Sequence, residues 1–328
     1  MAHSNTQNFQ KQTFVFKKVG SLELSLDVVT KTSATPSAAL IHYHGGFLVF
    51  GGKGVWTPEW LLKAAVRRNW AFVSPSYRLV PEATGEEVLS DALSAAQWVS
   101  ENITKKVIIA GSSAGGFLAI ATAAQLANPR PLAVLSVYGM NDLSQPRYVT
   151  PGSPLKLGPP ATGLDLVVKQ IADLKSEEAI DEYDTGFDFS KNKRLPFVAA
   201  MHQAAIYPDV LTGDQGLAAR IREIGPSAIP RHHAKLFPIA TGLPADFPPT
   251  ALVHGTEDSA VDVSQSEVAA EAVQKLGVEV LLQRVEGQSH GFDLRETSGK
   301  DIEAPEADKT PVTEALNSII TFLSRFAD

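Results

Sequence analysis

The 328-residue chain contains no cysteine. That absence excludes disulfide bonds, thiolate catalysis and cysteine-ligated metal sites, and it favours a cytoplasmic location. The polar segment 1–12 lacks the apolar core of a secretory signal, although a secreted form that has lost its leader stays the alternative. No apolar run approaches the ~18 residues that span a bilayer, and the formal net charge of −7 provides no basic footprint for nucleic acid. We therefore expect neither a membrane nor a nucleic acid as partner, and the oligomeric state stays open.

Apolar runs of strand length alternate with helical patterns in two parts of the chain. Period-two alternation in 13–19 and 21–29 first predicts a half-buried antiparallel pair. The strands after it are apolar throughout, which is typical of a mostly parallel sheet with helices on both faces. We predict those strands at 39–43, 70–75, 106–110, 132–137, 250–253 and 278–285. We predict helices at 58–68, 86–103 and 117–127. A fourth helix begins at a capping box, Ser264–Glu267, and ends at Gly277, and a last helix begins at Thr310-Pro311.

The alternation stops between residues 140 and 249. Of the 21 prolines, 13 lie from Pro146 to Pro249, with helical patches only near 164–174 and 198–205. So long a stretch is uncommon as a loop within a compact domain. We therefore predict two domains: a discontinuous α/β domain of residues 1–139 and 250–328, and an inserted cap of helices and loops at 140–249.

A glycine-rich turn, 111–116, joins the predicted strand 106–110 to the helix after it. Its Gly-x-Ser-x-Gly pattern holds Ser113 on a sharp bend, with the hydroxyl exposed above the helix N-terminus. The pattern alone is weak, but the strand–turn–helix context favours a nucleophile over an ordinary glycine turn.

A serine nucleophile needs a base within hydrogen-bond reach and a carboxylate that orients the base. Among the eight histidines, His290 lies in a glycine-flanked loop just after a predicted strand, at the sheet edge where such sites form. Asp258 follows the strand 250–253, which gives the chain order Ser, Asp, His. Glu257 and Asp262 are rivals for the carboxylate.

The oxyanion of a tetrahedral intermediate needs backbone donors. The turn after strand 39–43 supplies the amides of Gly45 and Gly46, and Ala114 directly follows the nucleophile. These three N–H groups are the predicted oxyanion hole. We assign His44, Phe47 and Ser112 as substrate contacts, although His44 fits better as a residue that holds the loop by hydrogen bonding.

With these residues assigned, the chain resembles the α/β-hydrolase superfamily, and within it the hormone-sensitive-lipase-like esterases. Four segments carry the resemblance: His44-Gly45-Gly46, the Tyr-Arg-Leu-Val-Pro-Glu sequence 77–82, the turn 111–116 and the late Asp258/His290 pair. It covers both catalytic segments but not the middle of the chain. The resemblance implies an α/β-hydrolase fold with a cap, and an esterase that needs no cofactor.

Three departures from that group concern substrate choice. Phe47 replaces the third glycine of the usual His-Gly-Gly-Gly. The phenylalanine either narrows the oxyanion hole or lines it with an aromatic ring. Ser112 replaces the acidic residue that often precedes the nucleophile. The gap from Ser113 to Asp258 is longer than usual, and the excess lies in the cap.

Serine hydrolysis of a small-molecule carboxylic ester is therefore the leading hypothesis. The alternative within the same fold is acyl transfer, lactone opening or condensation on a bulky natural product. A peptidase and a non-catalytic ligand receptor stay further alternatives. No metal and no organic cofactor is expected, since the chain lacks cysteine and a His-x-x-x-His pair.

Overall fold

The computed structural model describes residues 9–152, 162–175, 177–183 and 191–328, and its centre is an eight-stranded sheet. The strands are β1 Phe9–Val19, β2 Leu22–Lys31, β3 Ala38–Tyr43, β4 Trp70–Pro75, β5 Val107–Ser112, β6 Ala133–Val137, β7 Thr250–Gly255 and β8 Val280–Val285. Their order in the sheet is β1-β2-β4-β3-β5-β6-β7-β8. β2 pairs antiparallel with β1 and β4, and all other neighbours run parallel. The predicted, mostly parallel sheet is thereby confirmed.

From β3 to β7 the sheet is buried on both faces. Alternate residues of β3 divide between two hydrophobic clusters, with Ile41 in one and Leu40 in the other. Helices α2 (Gly85–Asn102), α3 (Ala114–Gln125) and α10 (Ser264–Gln274) contribute to the first cluster. Helices α1 (Glu59–Arg67), α11 (Phe292–Thr297) and α12 (Pro311–Ala327) contribute to the second. Strands β3 to β7 are buried along their whole length, which explains why their sequences are mostly apolar.

Helix starts follow the local sequence at two of three sites. Thr84 and Glu87 form a reciprocal capping box at α2, and Thr310 caps α12 as predicted. Each cap stabilises its helix by ~1 kcal/mol. The predicted capping box at Ser264 was wrong: α10 begins at Ser264 itself, and no side chain bonds the cap. Asp262 instead accepts the Ser264 N–H at 2.9 Å. In the predicted box, the Glu267 side chain would have accepted this N–H.

In its described residues, the segment between β6 and β7 is made of short helices. They are α4 Pro146–Val149, α5 Leu164–Leu174, α6 Leu195–Gln203, α7 Tyr207–Thr212, α8 Leu217–Ile224 and α9 Pro238–Thr241, with two 3₁₀ helices at Gly225–Ala228 and Arg231–Leu236. Buried residues of this segment, such as Leu211 and Leu236, belong to the same cluster as Val88 of α2. The predicted cap also includes 153–161, 176 and 184–190, which lie outside the described residues. The division into two domains stays a prediction.

A buried ion pair joins this segment to the sheet. Arg194, the residue before α6, donates to both carboxylate oxygens of Glu82 at 2.7 and 2.6 Å. The same guanidinium donates to the carbonyls of Val49 and Val80. Glu82 thus connects the 77–82 sequence to α6. In the residues that the structure describes, no helix is both long and apolar enough to cross a membrane.

Candidate active site

Ser113 lies at the turn between β5 and α3 in a strained backbone conformation. Its φ of 57° and ψ of −120° are rare for any residue but glycine, and such a conformation costs on the order of 1–3 kcal/mol. A Cβ atom on Gly111 would lie 1.9 Å from the Gly115 oxygen, and one on Gly115 would lie 2.0 Å from the Tyr43 oxygen. Only glycine fits at these two positions, so strand and helix approach closely and Ser113 projects from the turn. The Ser113 N–H donates to Val137 of β6.

The loop after β3 brings two glycines beside Ser113. A Cβ atom on Gly45 would lie 3.1 Å from the Ser113 Cβ, and Gly46 has a φ of +107°. In the described part of the chain, the N–H groups of Gly45, Gly46 and Ala114 donate to no other residue. The N-terminus of α3 adds its positive end at the same place. Gly45 therefore lies beside Ser113 and Ala114 follows it directly in the chain, while the oxyanion hole of Gly45, Gly46 and Ala114 stays a prediction.

His44 lies beneath this loop and does not line the cavity that Ser113 lines. Its ring stacks on Tyr77 with 4.1 Å between centroids, and its Nδ1 lies 2.7 Å from the Gly45 oxygen. The Tyr77 hydroxyl donates to the His44 carbonyl at 2.8 Å. Burial lowers the pKa of His44 to about 4, the bond to Gly45 opposes this, and the charge of Lys53 adds to it. A neutral imidazole that holds the loop matches its position better than the predicted substrate contact.

Asp258 and His290 are brought together from two different loops. His290 Nδ1 lies 2.6 Å from Asp258 Oδ2. The other carboxylate oxygen accepts the N–H groups of Ala260 and Val261, both at 2.9 Å. Burial acts to raise the pKa of Asp258, but the charges and hydrogen bonds of His290 and His254 outweigh it and hold that pKa well below its usual range. The rival Asp262 is occupied at the start of α10.

A second histidine contacts the same carboxylate. His254 Nε2 lies 3.2 Å from Asp258 Oδ2 and 3.0 Å from the Val261 carbonyl oxygen. Both neighbours are acceptors, so Nε2 carries the proton, and the Ser266 hydroxyl donates to Nδ1 at 2.8 Å. The Asp258 carboxylate thus lies between two imidazoles.

The loops that carry Asp258 and His290 are joined through their backbones. Gly255 approaches the second loop so closely that a Cβ atom would lie 2.1 Å from the Gln288 oxygen. That oxygen accepts the Glu257 N–H, and Thr256 Oγ1 accepts the Gly287 N–H. These bonds fix the separation between the carboxylate and the imidazole.

Tyr138, at the end of β6, packs against His290 with 4.5 Å between ring centroids. Its hydroxyl donates to Asp293 at 2.6 Å, and the same carboxylate accepts the Trp60 indole N–H at 2.9 Å. Burial raises the pKa of Asp293, and its bonds to Tyr138 and Trp60 limit the rise. The ring of Tyr138 therefore has a fixed orientation beneath the imidazole.

Ser113 and His290 line one cavity of about 350 Å³. Gly45, Gly46, Phe47 and Ser112 also line it, so both remaining predicted substrate contacts reach its wall. The other lining residues are Phe50, Trp56, Tyr138, Ser259, Ser289, Gly291, Leu294 and Arg295. In the described residues, no hydrogen bond joins the Ser113 hydroxyl to His290. The same residues contain no group of three or more His, Asp or Glu side chains that would hold a metal ion.

Sequence reasoning missed His254 and Tyr138. Both follow or end a parallel strand, at the edge where Asp258 and His290 were found. The spacing of four residues between His254 and Asp258 was a usable signal, since His254 lies at the end of β7 and Asp258 in the loop directly after it. Tyr138 gave no signal, because its contact with His290 joins residues that are distant in sequence.

Comparisons with known proteins agree with this architecture. A family model described as "alpha/beta hydrolase fold" matches residues 40–176, and one described as "Prolyl oligopeptidase family" matches residues 196–306. An α/β-hydrolase superfamily protein from Enterococcus faecalis is similar in structure, with a TM-score of 0.67 at 18% identity over 96% of this chain and 99% of that one. A bacterial heroin esterase gives 0.64 at 16% identity, over 98% and 85%.

Three relatives are similar over most of this chain. A probable carboxylesterase M8 of Phoma sp. is 23% identical over 91% of this chain and 94% of its own length. Lipase 2 of a Moraxella strain is 26% identical over 80% of this chain, which spans 56% of that lipase. Methylphloroacetophenone synthase of Cladonia uncialis is 24% identical over 85% of this chain, which spans only 12% of that synthase. Together with the sheet order and the turn at Ser113, these likenesses show that the chain has the α/β-hydrolase fold, and they support its resemblance to the hormone-sensitive-lipase-like esterases.

Proposed function

We propose that the protein hydrolyses a small-molecule carboxylic ester through an acyl-enzyme on Ser113. The observation that carries this proposal is the 2.6 Å contact between His290 and Asp258 at the rim of the cavity that Ser113 lines. The carboxylesterase and lipase relatives support ester hydrolysis as the reaction class.

In the first half-reaction the Ser113 hydroxyl oxygen attacks the ester carbonyl carbon. His290 Nε2 takes the hydroxyl proton, because Nδ1 is already engaged by Asp258. Asp258 keeps the ring in this tautomer and stabilises the imidazolium, and it stays ionised because its pKa is held low. The tetrahedral intermediate then collapses, and the alcohol leaves with the proton from His290.

In the second half-reaction water takes the place of the alcohol. His290 accepts a proton from water, and the resulting hydroxide attacks the acyl carbon. The second intermediate releases the carboxylic acid, and Ser113 regains its proton from His290. Binding of substrate has to bring the Ser113 hydroxyl into hydrogen-bond reach of His290, as is common when catalytic contacts tighten on binding.

The negative oxygen of both intermediates is stabilised by the N–H groups of Gly45, Gly46 and Ala114. Their lack of other partners supports this role, since donors already engaged elsewhere would have to be released first. Loss of one such donor costs roughly 3 kcal/mol of transition-state stabilisation in serine hydrolases.

The same residues could instead catalyse acyl transfer, lactone opening or condensation on a bulky natural product. Two likenesses favour this second candidate: the one to methylphloroacetophenone synthase, and one to a non-reducing polyketide synthase of Emericella nidulans, which is 24% identical over 87% of this chain. A peptidase draws support from the prolyl oligopeptidase match.

A kinetic comparison tests the proposal. The Ser113→Ala variant should lose turnover of p-nitrophenyl butyrate by a factor of ~10⁴ or more. Ser94→Ala, which removes a hydroxyl that bonds within α2, should retain wild-type turnover. Butyryl p-nitroanilide separates esterase from peptidase activity, because only the leaving group differs. Undiminished ester turnover in Ser113→Ala would refute the assignment, and faster anilide than ester cleavage would favour the peptidase.

A further inference from the structure

Three buried polar side chains and one half-buried arginine form a cluster next to the catalytic cavity. The rings of Tyr148, His202 and Tyr207 contact one another, with centroid distances of 5.6, 5.4 and 4.9 Å. Arg147 precedes Tyr148, and its charge acts on all three rings. We call Arg147, Tyr148, His202 and Tyr207 the polar cluster. All four residues belong to the segment between β6 and β7.

Each member of the polar cluster has a buried polar atom without a partner. In the described residues, no hydrogen bond reaches Arg147 Nε, the Tyr148 hydroxyl, His202 Nε2 or the Tyr207 hydroxyl. An unmet buried polar group costs on the order of 1–3 kcal/mol, and native proteins keep few of them. Four such atoms in one place indicate a site that a ligand completes.

The chemistry of the polar cluster defines what that ligand must offer. His202 Nδ1 lies 2.9 Å from the Val198 carbonyl oxygen, so Nδ1 carries the proton. Burial lowers the pKa of His202 to about 4, the bond to Val198 opposes this, and the charge of Arg147 adds to it. The neutral ring therefore presents Nε2 as an acceptor, while Arg147 and both tyrosines present donors. A ligand with hydroxyl or carbonyl oxygens can form hydrogen bonds with these four atoms, whereas an alkyl chain forms none.

Two contacts connect the polar cluster to the catalytic cavity. Phe47 lines the cavity and meets His202 edge to face, with 5.8 Å between ring centroids. On the other side, Arg147 donates to the carbonyls of Ser259 and Ala260 at 3.0 and 2.8 Å. Ser259 lines the cavity, and Ala260 donates to Asp258. Phe47 thus contacts both the cavity and the polar cluster.

We propose that the polar cluster is a subsite for the hydroxylated aromatic acyl group of an ester substrate, which enters from the catalytic cavity past Phe47. Stacking against Phe47 and the two tyrosines suits an aromatic ring, and the unmet atoms bind its hydroxyl. This inference rests on the proposed ester hydrolysis and specifies its substrate class. The alternative is that ordered water alone satisfies the polar cluster.

The test compares p-nitrophenyl 6-hydroxy-2-naphthoate with p-nitrophenyl 2-naphthoate, which differ by one hydroxyl. We expect wild-type kcat/KM to be roughly tenfold higher for the hydroxylated ester, as one well-formed buried hydrogen bond predicts. In Tyr148→Phe and Tyr207→Phe this ratio should fall toward one. Neither change should lower the melting temperature, because each removes an unmet hydroxyl and keeps the ring.

Tyr43→Phe is the matched control. It also removes a buried phenol hydroxyl, but one that donates to the Ala92 carbonyl at 2.7 Å and lies outside the cavity. It should lower the melting temperature and leave the ratio unchanged. A wild-type ratio of one, or a ratio that both tyrosine variants leave intact, would overturn the subsite and favour water.

Two further measurements separate this inference from the proposed function. Failure of the wild type to hydrolyse p-nitrophenyl butyrate would contradict ester hydrolysis, whereas butyrate turnover with a naphthoate ratio of one contradicts only the subsite. Calorimetric binding of the free acids 6-hydroxy-2-naphthoate and 2-naphthoate to Ser113→Ala repeats the comparison without turnover. We expect the hydroxylated acid to bind roughly tenfold more tightly, and equal affinities would again overturn the subsite.

Discussion

Replacement of His254 by phenylalanine should weaken catalysis although His254 lies outside the cavity. The change keeps a ring of similar size in a fully buried position but removes the Nε2 proton 3.2 Å from Asp258. A hydrogen bond to a charged group contributes about 1.5–3 kcal/mol. The distance is long and the proton is shared with the Val261 carbonyl, so we take the lower end. A loss of about 1.5 kcal/mol corresponds to a roughly tenfold lower kcat, with little change in KM.

The pH dependence of stability distinguishes this positioning role from a structural one. The native pKa of Asp258 lies below its unfolded value of about 3.9. The stability that Asp258 contributes is therefore present above about pH 4 and is lost as the pH falls through the native pKa. Without the His254 proton, the Asp258 pKa rises and less stability is lost. Urea unfolding of His254→Phe should consequently show a smaller loss of stability below pH 4 than the wild type.

Two variants complete that experiment. Ser266→Ala removes the partner of the other His254 nitrogen, so it should lower stability at neutral pH while kcat stays close to that of the wild type. His254→Gln retains an amide donor and should recover part of the lost kcat. If His254→Phe and Ser266→Ala have equal kcat and equal pH dependence of stability, His254 does not act through Asp258 and the reasoning fails.

Two further predictions concern the backbone and the buried ion pair. Gly111→Ala should prevent correct folding, because its Cβ would lie 1.9 Å from a backbone oxygen. In the control Gly54→Ala, the new Cβ has no neighbour within 4 Å, so this variant should be nearly as stable as the wild type. Expression and circular dichroism compare the two variants, and a folded Gly111→Ala protein would contradict the close approach of strand and helix. Glu82→Gln should lower stability by about 3–5 kcal/mol, since it leaves the Arg194 guanidinium without its carboxylate. The exposed Glu23, paired with Lys18, is its control, and Glu23→Gln should change stability by under ~1 kcal/mol in the same urea titration; equal effects would contradict the argument from burial.

The sheet was predictable because its central strands are buried on both faces. That burial favours apolar residues at nearly every position of strands such as Ala38–Tyr43 and Val107–Ser112, which sets them apart from helices and loops. The edge strand β1 was predicted too short, since it begins at Phe9 and its residues are largely exposed. The prediction of a capping box at Ser264 was wrong because Asp262, two residues earlier, already accepts the Ser264 N–H.

The turn at Ser113 and the two loops with Asp258 and His290 were predictable because each requires a local pattern at a strand end. The polar cluster was not predictable. Tyr148, His202 and Tyr207 lie on three short helices, and only the packing of those helices brings their rings together. Nothing in the local sequence around these residues specifies that contact.

Covalent labelling with a fluorophosphonate tests the central claim, that Ser113 is the nucleophile, most directly. The intact mass of the wild type should increase by one phosphonyl group, and peptide fragmentation should assign that group to Ser113 and not to Ser112, which lines the same cavity. Ser113→Ala should remain unlabelled, and prior incubation with a hydrolysable ester in excess should slow labelling of the wild type. A label on another residue, or a Ser113→Ala protein labelled as fast as the wild type, would contradict the account.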